Sequence, residues 1–375
     1  MRAQIETVMQ GDIQEGPGWL RAGLSAAAGL YRAGIRLRKT AYANGWIKTA
    51  RLDCRVVSVG NLTLGGTGKT PMTIYLARLI QSYGYRVAVI SRGYKGSAEA
   101  QGGVVSDGTG LLMPASACGD EAYMMARALE NIPVLVGRDR YAIGRTAIAK
   151  FDPEVVLLDD AFQHIRLVRD IDLVLLDAEK PFGNGKLFPR GVLREEKAAL
   201  QRCSAVVLTR ADQAGTAASV IVDQVLDGKP LFQCVHQPYI AEVISGKEGH
   251  ASQIRQTTDH PGLNGLEGRR GYVFSGIADN TRFHRTIEQS GVHICGTSQF
   301  GDHHTYSETE LKHIVNAAEE SGAELIMTTE KDYSRIPLNV KWPSDLVVVG
   351  VKIQFSDGAF DRFILEQLKL KRIQG

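Results

Sequence analysis

The chain contains no C-x-x-C pair: its five cysteines, Cys54, Cys118, Cys203, Cys234 and Cys295, are widely scattered. That spacing excludes a disulfide scaffold and a sulfur-rich zinc site, and a reducing compartment is the simpler reading. No run of about 18 uncharged apolar residues occurs, so no transmembrane helix is expected. Nor does the start read as a signal peptide, because Met1 to Pro17 carries Glu6, Asp12 and Glu15 in place of a basic start and an apolar run. Excess charge is lacking as well. A net charge of +3 over 375 residues argues against a general nucleic-acid binder. Internal repeats and low-complexity tracts are absent. What remains is an ordinary globular composition, 44% hydrophobic and 23% charged, long enough for one large domain or two smaller ones.

One absence is local. From Pro17 to Leu52 there is no acid at all, while Arg21, Arg32, Arg36, Arg38, Lys39, Lys48 and Arg51 supply positive charge. Leu20, Leu24, Ala27, Tyr31, Ile35, Tyr42 and Trp46 recur mostly at spacings of three or four, a helical stripe. Such a basic amphipathic helix can lie in an anionic membrane interface. It can equally pack on the main domain with its arginines solvated, and the two uses are compatible.

Beyond it, apolar runs alternate with helical patterns. Strands are expected at 55–60, 86–91, 134–136, 155–158, 173–176 and 205–209, with helices at 70–83 and 121–130. Val104–Val105 and Leu111–Met113 read as a small hairpin. Continuous apolar runs suit strands buried on both faces, so the pattern predicts a parallel sheet covered by helices. Residues 246–270 are polar and aperiodic and read as a linker. After them, strands at 272–275, 325–328 and 346–351 alternate with helices at 281–289 and 308–320, a smaller α/β unit. The expected division is a leader and basic helix over 1–52, a nucleotide-binding domain over 53–245, the linker, and a second domain over 271–375.

The most informative run is Val56-Val57-Ser58-Val59-Gly60-Asn61-Leu62-Thr63-Leu64-Gly65-Gly66-Thr67-Gly68-Lys69-Thr70-Pro71. A strand feeds a glycine-rich loop that feeds a helix. Glycines let backbone N–H groups turn towards phosphate oxygens, and the helix N-terminus adds its dipole. Residues Thr63 to Thr70 are the candidate nucleotide site, with Lys69 bridging the β- and γ-phosphates of ATP and Thr70 ligating Mg²⁺. Pro71 is tolerated in a first helical turn. The strict G-x-x-x-x-G-K-[ST] pattern would place glycine at 63, where this chain has threonine, so the loop is a variant.

Acids could complete the site. The strand at 155–158 ends in Asp159 and Asp160, either of which could hold the metal shell; Asp177, at the end of 173–176, is a weaker parallel. Asp120 and Glu121 open a helix, where acids favour the dipole without any chemistry. His303, beside Asp302, suits a base, a ligand or plain surface.

Together these segments resemble the tetraacyldisaccharide 4′-kinases, the lipid A kinases of Gram-negative bacteria. The matching pieces are V-G-N-L-T-L-G-G-T-G-K-T-P from Val59, S-R-G-Y from Ser91, G-D-E from Gly119, V-G-R-D-R from Val136, L-D-D-A-F-Q-H from Leu158 and D-A-E-K-P-F-G-N-G from Asp177. L-R-E from Leu193, L-T-R-A-D from Leu208, F-G-D-H-H from Phe300 and T-T-E-K-D from Thr328 complete the set. The resemblance implies a P-loop NTPase-like α/β fold with a smaller second α/β domain. It implies transfer of the ATP γ-phosphate to the 4′-hydroxyl of a lipid A disaccharide 1-phosphate, with Mg²⁺, at the cytoplasmic face of the inner membrane. Carried over by motif, Asp120 matches the catalytic acid and His303 its partner; Asp159 and Asp160 match the metal acids; Lys69 and Thr70 match the phosphate-loop pair. Glu121, Arg138, Gln163, His164, Asn184 and Arg194 fall in motifs lining the cleft. Ala161 stands where the family more often has glycine. Nothing in the sequence points to an obligate protein partner.

Two rivals remain from the residues alone. Deviant-Walker switch ATPases share G-G-x-G-K-T, but with a lysine where this chain has Leu64, and 208–212 faintly resembles the guanine-reading N-K-x-D of GTPases and metallochaperones. A non-catalytic nucleotide-binding module would leave the clustered acids and histidine without a use.

Overall fold

A computed structural model describes residues 2–11, 16–213, 217–246, 262–337 and 339–370. The helices α1 (Arg2–Gln10) and α2 (Gly18–Ala43) come first. The order then runs β1 (Arg55–Asn61), α3 (Lys69–Ser82), β2 (Val87–Ser91), β3 (Gly103–Ser106), α4 (Ala115–Cys118), α5 (Asp120–Ala128), β4 (Val134–Val136), α6 (Arg140–Phe151), β5 (Val155–Asp159), β6 (Ile171–Asp177), β7 (Ala205–Thr209), α7 (Ala217–Leu226) and β8 (Leu231–Ile244). The last part comprises β9 (Arg270–Ser275), α8 (Asn280–Gln289), β10 (His293–Gln299), α9 (Glu308–Glu320), β11 (Leu325–Thr329), α10 (Glu330–Tyr333), β12 (Asp345–Phe355) and α11 (Ala359–Leu370).

The strands form one sheet in the order β10-β9-β11-β12-β8-β7-β6-β1-β5-β2-β4-β3. Pairings are parallel except β8 with β12 and β3 with β4. The central strands β1, β5, β6 and β7 are buried along almost their whole length because helices cover both faces. Met72, Leu76 and Ile80 of α3 and Met125 of α5 pack on one face, and Ile143 and Ala147 of α6 on the other. The expected hairpin over 104–113 is only a bridge between Ser106 and Leu111; β3 takes β4 as its partner instead.

The expected linker lies mostly outside the described residues. On either side of it, β8 and β12 pair over ten positions, Phe355↔Cys234 to Leu346↔Ile244, and join the two halves into one sheet. The division at 271 is therefore incomplete: Phe360, Ile364 and Leu368 of α11 are fully buried in the core that also holds Met72 and Leu76. The second lobe proper has its own cores, around Phe274, Ile314 and Trp342 on one face and Phe283 and Ile287 on the other.

Most of the stripe read on α2 faces the body, but Tyr31 is 37% exposed and Trp46, beyond the helix, is 70% exposed. Leu20 is buried and Leu24, Ala27, Ile35 and Tyr42 are half-buried. A different set, Trp19 (67% exposed), Leu30 (79%) and Leu37 (67%), stands in solvent. These residues are eleven and seven positions apart, close to whole helical turns, so they share one line on the outer side. No helix among the described residues is long and apolar enough to cross a membrane.

Candidate active site

The loop after β1 is built from Gly65 (φ 112°) and Gly68 (φ 83°), both in backbone regions that L side chains rarely adopt. Gly68 is also the N-cap of α3, and a Cβ there would sit 2.4 Å from Nε2 of His236 on β8. The leading edge of the loop is held as a short ladder: Leu64 N donates to Val192 O (2.7 Å) and Arg194 N to Leu62 O (2.8 Å). Arg210 Nη2 donates to Gly66 O at 2.8 Å. The loop is thus pinned as it runs into the N-terminus of α3, whose dipole favours an anion there.

The paired aspartates separate into two layers. Asp160 lines the cleft, 3.7 Å from Lys69 Nζ and 2.9 Å from Arg194 Nη1. Burial raises its pKa, but Lys69 and Arg194 outweigh that and hold its carboxyl below the usual range. Asp159, 1% exposed, lies beneath it and accepts from Thr73 Oγ1 (3.1 Å) and Ser91 Oγ (3.2 Å). Burial, then the charges of Glu121 and Asp160, push its carboxyl well above the ordinary range. Arg140 is buried below both, donating to the carbonyls of Gly137 and Asp159.

Asp120 is the first residue of α5, and its helix-end position alone would explain a carboxylate. Its contacts say more. His303 Nδ1 stands 3.0 Å from Asp120 Oδ2, Arg335 Nε donates to the same oxygen at 2.8 Å, and Arg335 Nη2 lies 2.7 Å away. Both partners come from the second lobe. With its proton on Nδ1, His303 donates to Asp120, and its Nε2 faces the Lys331 ammonium at 3.4 Å. Burial raises the pKa of Asp120, but the hydrogen bonds from His303 and Arg335 prevail and hold it below the usual range. Gly119 before it adopts φ 81°, ψ 154°, and a Cβ would lie 2.6 Å from Tyr94 O, so only glycine lets α5 begin here. Asp160, Arg210 and His303 are left-handed non-glycine residues, a strain of about 1 kcal/mol or more each, gathered at the site.

His303 lines a cleft of 1690 Å³ whose walls include the whole of Thr63–Thr70 together with Glu121, Asp160 and Arg194; Asp120 stands behind His303, bonded to it, and is not itself among the walls. Arg282 of α8 closes the cleft further along. It pairs with Asp177 Oδ2 at 2.8 Å, which also takes Arg210 at 2.6 Å, and it bonds Glu179. In the stretch 208–212, then, Arg210 serves the loop and Asp177.

Six of the expected site residues do not line the cleft: Asp120 stands behind His303, Asp159 is buried beneath Asp160 and so lies away from the expected metal position, and four more lie elsewhere. Arg138 is exposed at the surface, with its N–H on Glu99 O. Gln163 lies one layer back, donating to Asn61 O (2.9 Å) and receiving Arg194. His164 is half-buried, and burial followed by the nearby Arg140 charge lowers its pKa to about 4. Asn184 binds backbone: it donates to Val8 O and Arg190 O and receives Lys186 N. Conversely, sequence reasoning missed Arg335, Lys331, Arg282 and His236. Arg335 follows Asp332 by one helical step, and the buried Asp332, bonded by Gly276 N, Tyr306 Oη and Thr329 Oγ1, fixes it; that i,i+3 pair was the available signal.

A family model described as Tetraacyldisaccharide-1-P 4'-kinase matches residues 20–369. The chain belongs to that family. A relative named Tetraacyldisaccharide 4'-kinase from Desulfatibacillum aliphaticivorans is 38% identical over 376 residues, covering 99% of each chain. One of the same name from Geobacter metallireducens is 41% identical over 302 residues, 80% of this chain and 84% of its own. A crystal structure described as the "apo" form of LpxK from Aquifex aeolicus in complex with ATP superposes with a TM-score of 0.70 at 29% identity, over 93% of this chain and 99% of that one.

A kinase of this family uses ATP with Mg²⁺, and the oxygen donors fit a hard cation: Thr70 and Asp160 line the cleft beside Lys69. Among the described residues no group of three or more His, Cys, Asp or Glu could cage a metal alone. The kinase therefore offers a partial set that phosphate oxygens and waters would complete, as Mg²⁺ prefers.

Proposed function

We propose that the chain transfers the γ-phosphate of ATP to the 4′-hydroxyl of a tetraacyldisaccharide 1-phosphate, a lipid A precursor, with the chemistry divided between two lobes. The observation that carries this is a cleft walled by the phosphate loop and by His303 of the second lobe, which bonds Asp120 behind it, where Arg335 bonds the same carboxylate oxygen. The loop amides and Lys69 hold the triphosphate, and Arg194 keeps Asp160 turned towards it. Mg²⁺, held by Thr70 and Asp160, would neutralise charge on the transferring phosphoryl group. Asp159 supports that arrangement from below through Thr73 and Ser91.

The sugar hydroxyl reacts once its proton has an acceptor. All the described contacts to the Asp120 carboxylate fall on Oδ2, which leaves Oδ1 to receive that proton. A carboxylate kept ionised by His303 and Arg335 is always in the accepting form, and in a loose transition state the proton moves late, so modest basicity suffices. Because both supporting groups belong to the second lobe, closure assembles the acceptor only when the cleft is shut.

The acceptor lipid stays in its bilayer, so we place the enzyme peripherally on the anionic cytoplasmic surface of the inner membrane, with α2 outermost. The exposed line Trp19, Leu30 and Leu37 and the flanking arginines support this docking. The test is direct: purified protein, Mg-ATP and tetraacyldisaccharide 1-phosphate, with product scored for added phosphate. Asp120→Asn should lower kcat on the order of 10²–10⁴-fold with little change in KM for ATP. Undiminished turnover in that variant removes Asp120 from the proton-accepting role.

A further inference from the structure

The family match begins at residue 20, so α1 and Gly16 stand outside it. Even so, α1 is docked. Val8 is 0% exposed, and its carbonyl receives Asn184 Nδ2 at 3.3 Å and Arg190 Nη1 at 3.1 Å. Gly16, at φ 85°, passes so close over Val8 that a Cβ there would meet its Cγ2 at 2.3 Å. The segment that α1 grips, residues 183–196, is a strap with no helix and only isolated bridges before 197. Its inner edge is the ladder partner of the phosphate loop, through Leu64 N on Val192 O and Arg194 N on Leu62 O.

Helix α2 holds the same strap further along. Tyr31 Oη donates to Arg194 O at 3.1 Å, and its ring meets Phe188 edge-on at 5.8 Å. Lys39 pairs with Glu195 at 2.7 Å, and Arg36 with Glu196 at 3.0 Å. The strap thus lies between the N-terminal helices and the nucleotide loop, and it carries Arg194, whose guanidinium fixes Asp160.

We infer that α1 and α2 act as a clamp that sets the phosphate loop for ATP through this strap, with Val8 and Tyr31 as positioning residues. A phosphate loop works because its amides are already aimed before the ligand arrives. Residues 62–64 owe that aim to an irregular segment. Whatever fixes the segment fixes the loop. Freeing the outer edge lets loop and strap drift together, and the penalty falls on nucleotide affinity while the lipid end of the cleft is untouched.

This rests on residues 63–70 holding ATP, so binding is measured first, as equilibrium affinity for Mg-ATP without lipid. The full chain is compared with the chain lacking residues 2–16, Tyr31→Phe and Asn184→Ala, with thermal melts alongside and steady-state KM for both substrates. Expected is a loss of Mg-ATP affinity of about fivefold in the truncation, a smaller loss in each point variant, and unchanged KM for the lipid. Truncation and Asn184→Ala combined should cost less than the sum of the two alone, because both remove the Val8 contact, while Asn184→Ala also removes the bonds to Arg190 O and Lys186 N. If the full chain fails to bind Mg-ATP, the assignment of the loop falls and the clamp with it. If the full chain binds and the folded variants bind equally well, the clamp alone is overturned, even where melting temperatures drop. The point variants keep that outcome readable should the truncation not fold.

Discussion

Two histidines near the loops are held neutral by their surroundings. Burial and then the Arg210 charge push His236 down to about 3, and burial and then Arg140 push His164 down to about 4. Both therefore have folded values below the ordinary 6.5, and the unfolded chain binds more protons between those limits. The sign follows: stability is complete above about pH 6.5 and declines as pH falls towards 4. Urea unfolding midpoints should drop steadily from pH 7 to pH 5, and the double variant His164→Asn with His236→Asn should flatten that slope. An equally steep slope in the variant would mean other groups set it. Such an effect was out of reach of the sequence. Lys69, Thr70 and the Asp159–Asp160 pair stand out in the sequence because motif chemistry advertises them, and Asp120 enters only through the resemblance, whereas His236 is chemical only because Gly68 lets it pack against the loop. Asn184 misled for the opposite reason: it sits in a characteristic run but serves the carbonyls of Val8 and Arg190.

At the scale of elements, α2 has two working faces. Tyr31, Lys39 and Arg36 hold the strap, while Trp19, Leu30 and Leu37 project outward. Changing the outer three to serine should leave the melting temperature and ATP affinity intact but abolish sedimentation with anionic vesicles. If the triple variant still sediments, docking resides elsewhere. Sequence periodicity found the helix and its inner stripe but not the outer three residues, which lie eleven and seven positions apart rather than three or four. Strands buried on both faces were legible from their unbroken apolar runs. The 14-residue β8 was not, because Leu231–Ile244 mixes Gln, His and Pro among its apolar positions and is half-buried along much of its length.

For the whole molecule, the lobes meet through few charged contacts around the cleft, chiefly Arg335 and His303 on Asp120 and Arg282 on Asp177 and Glu179. Arg282→Ala removes one tie while Asp177 keeps Arg210. The radius of gyration from solution scattering should rise, and KM for ATP should increase about tenfold, the worth of about 1.4 kcal/mol. A scattering curve superimposable on the wild type would show that Arg282 does not hold the lobes together. The α/β class was readable from the alternation of elements, yet the return of α11 was not, since a helix at residues 359–370 carries no mark of which core it joins. That return matters during synthesis. Phe360, Ile364 and Leu368 roof Met72 and Leu76, which leave the ribosome almost three hundred residues earlier. A nascent nucleotide lobe must therefore wait, with greasy flank uncovered, until the final helix emerges, and a ribosome stalled within β12 would present chaperones with a half-roofed core.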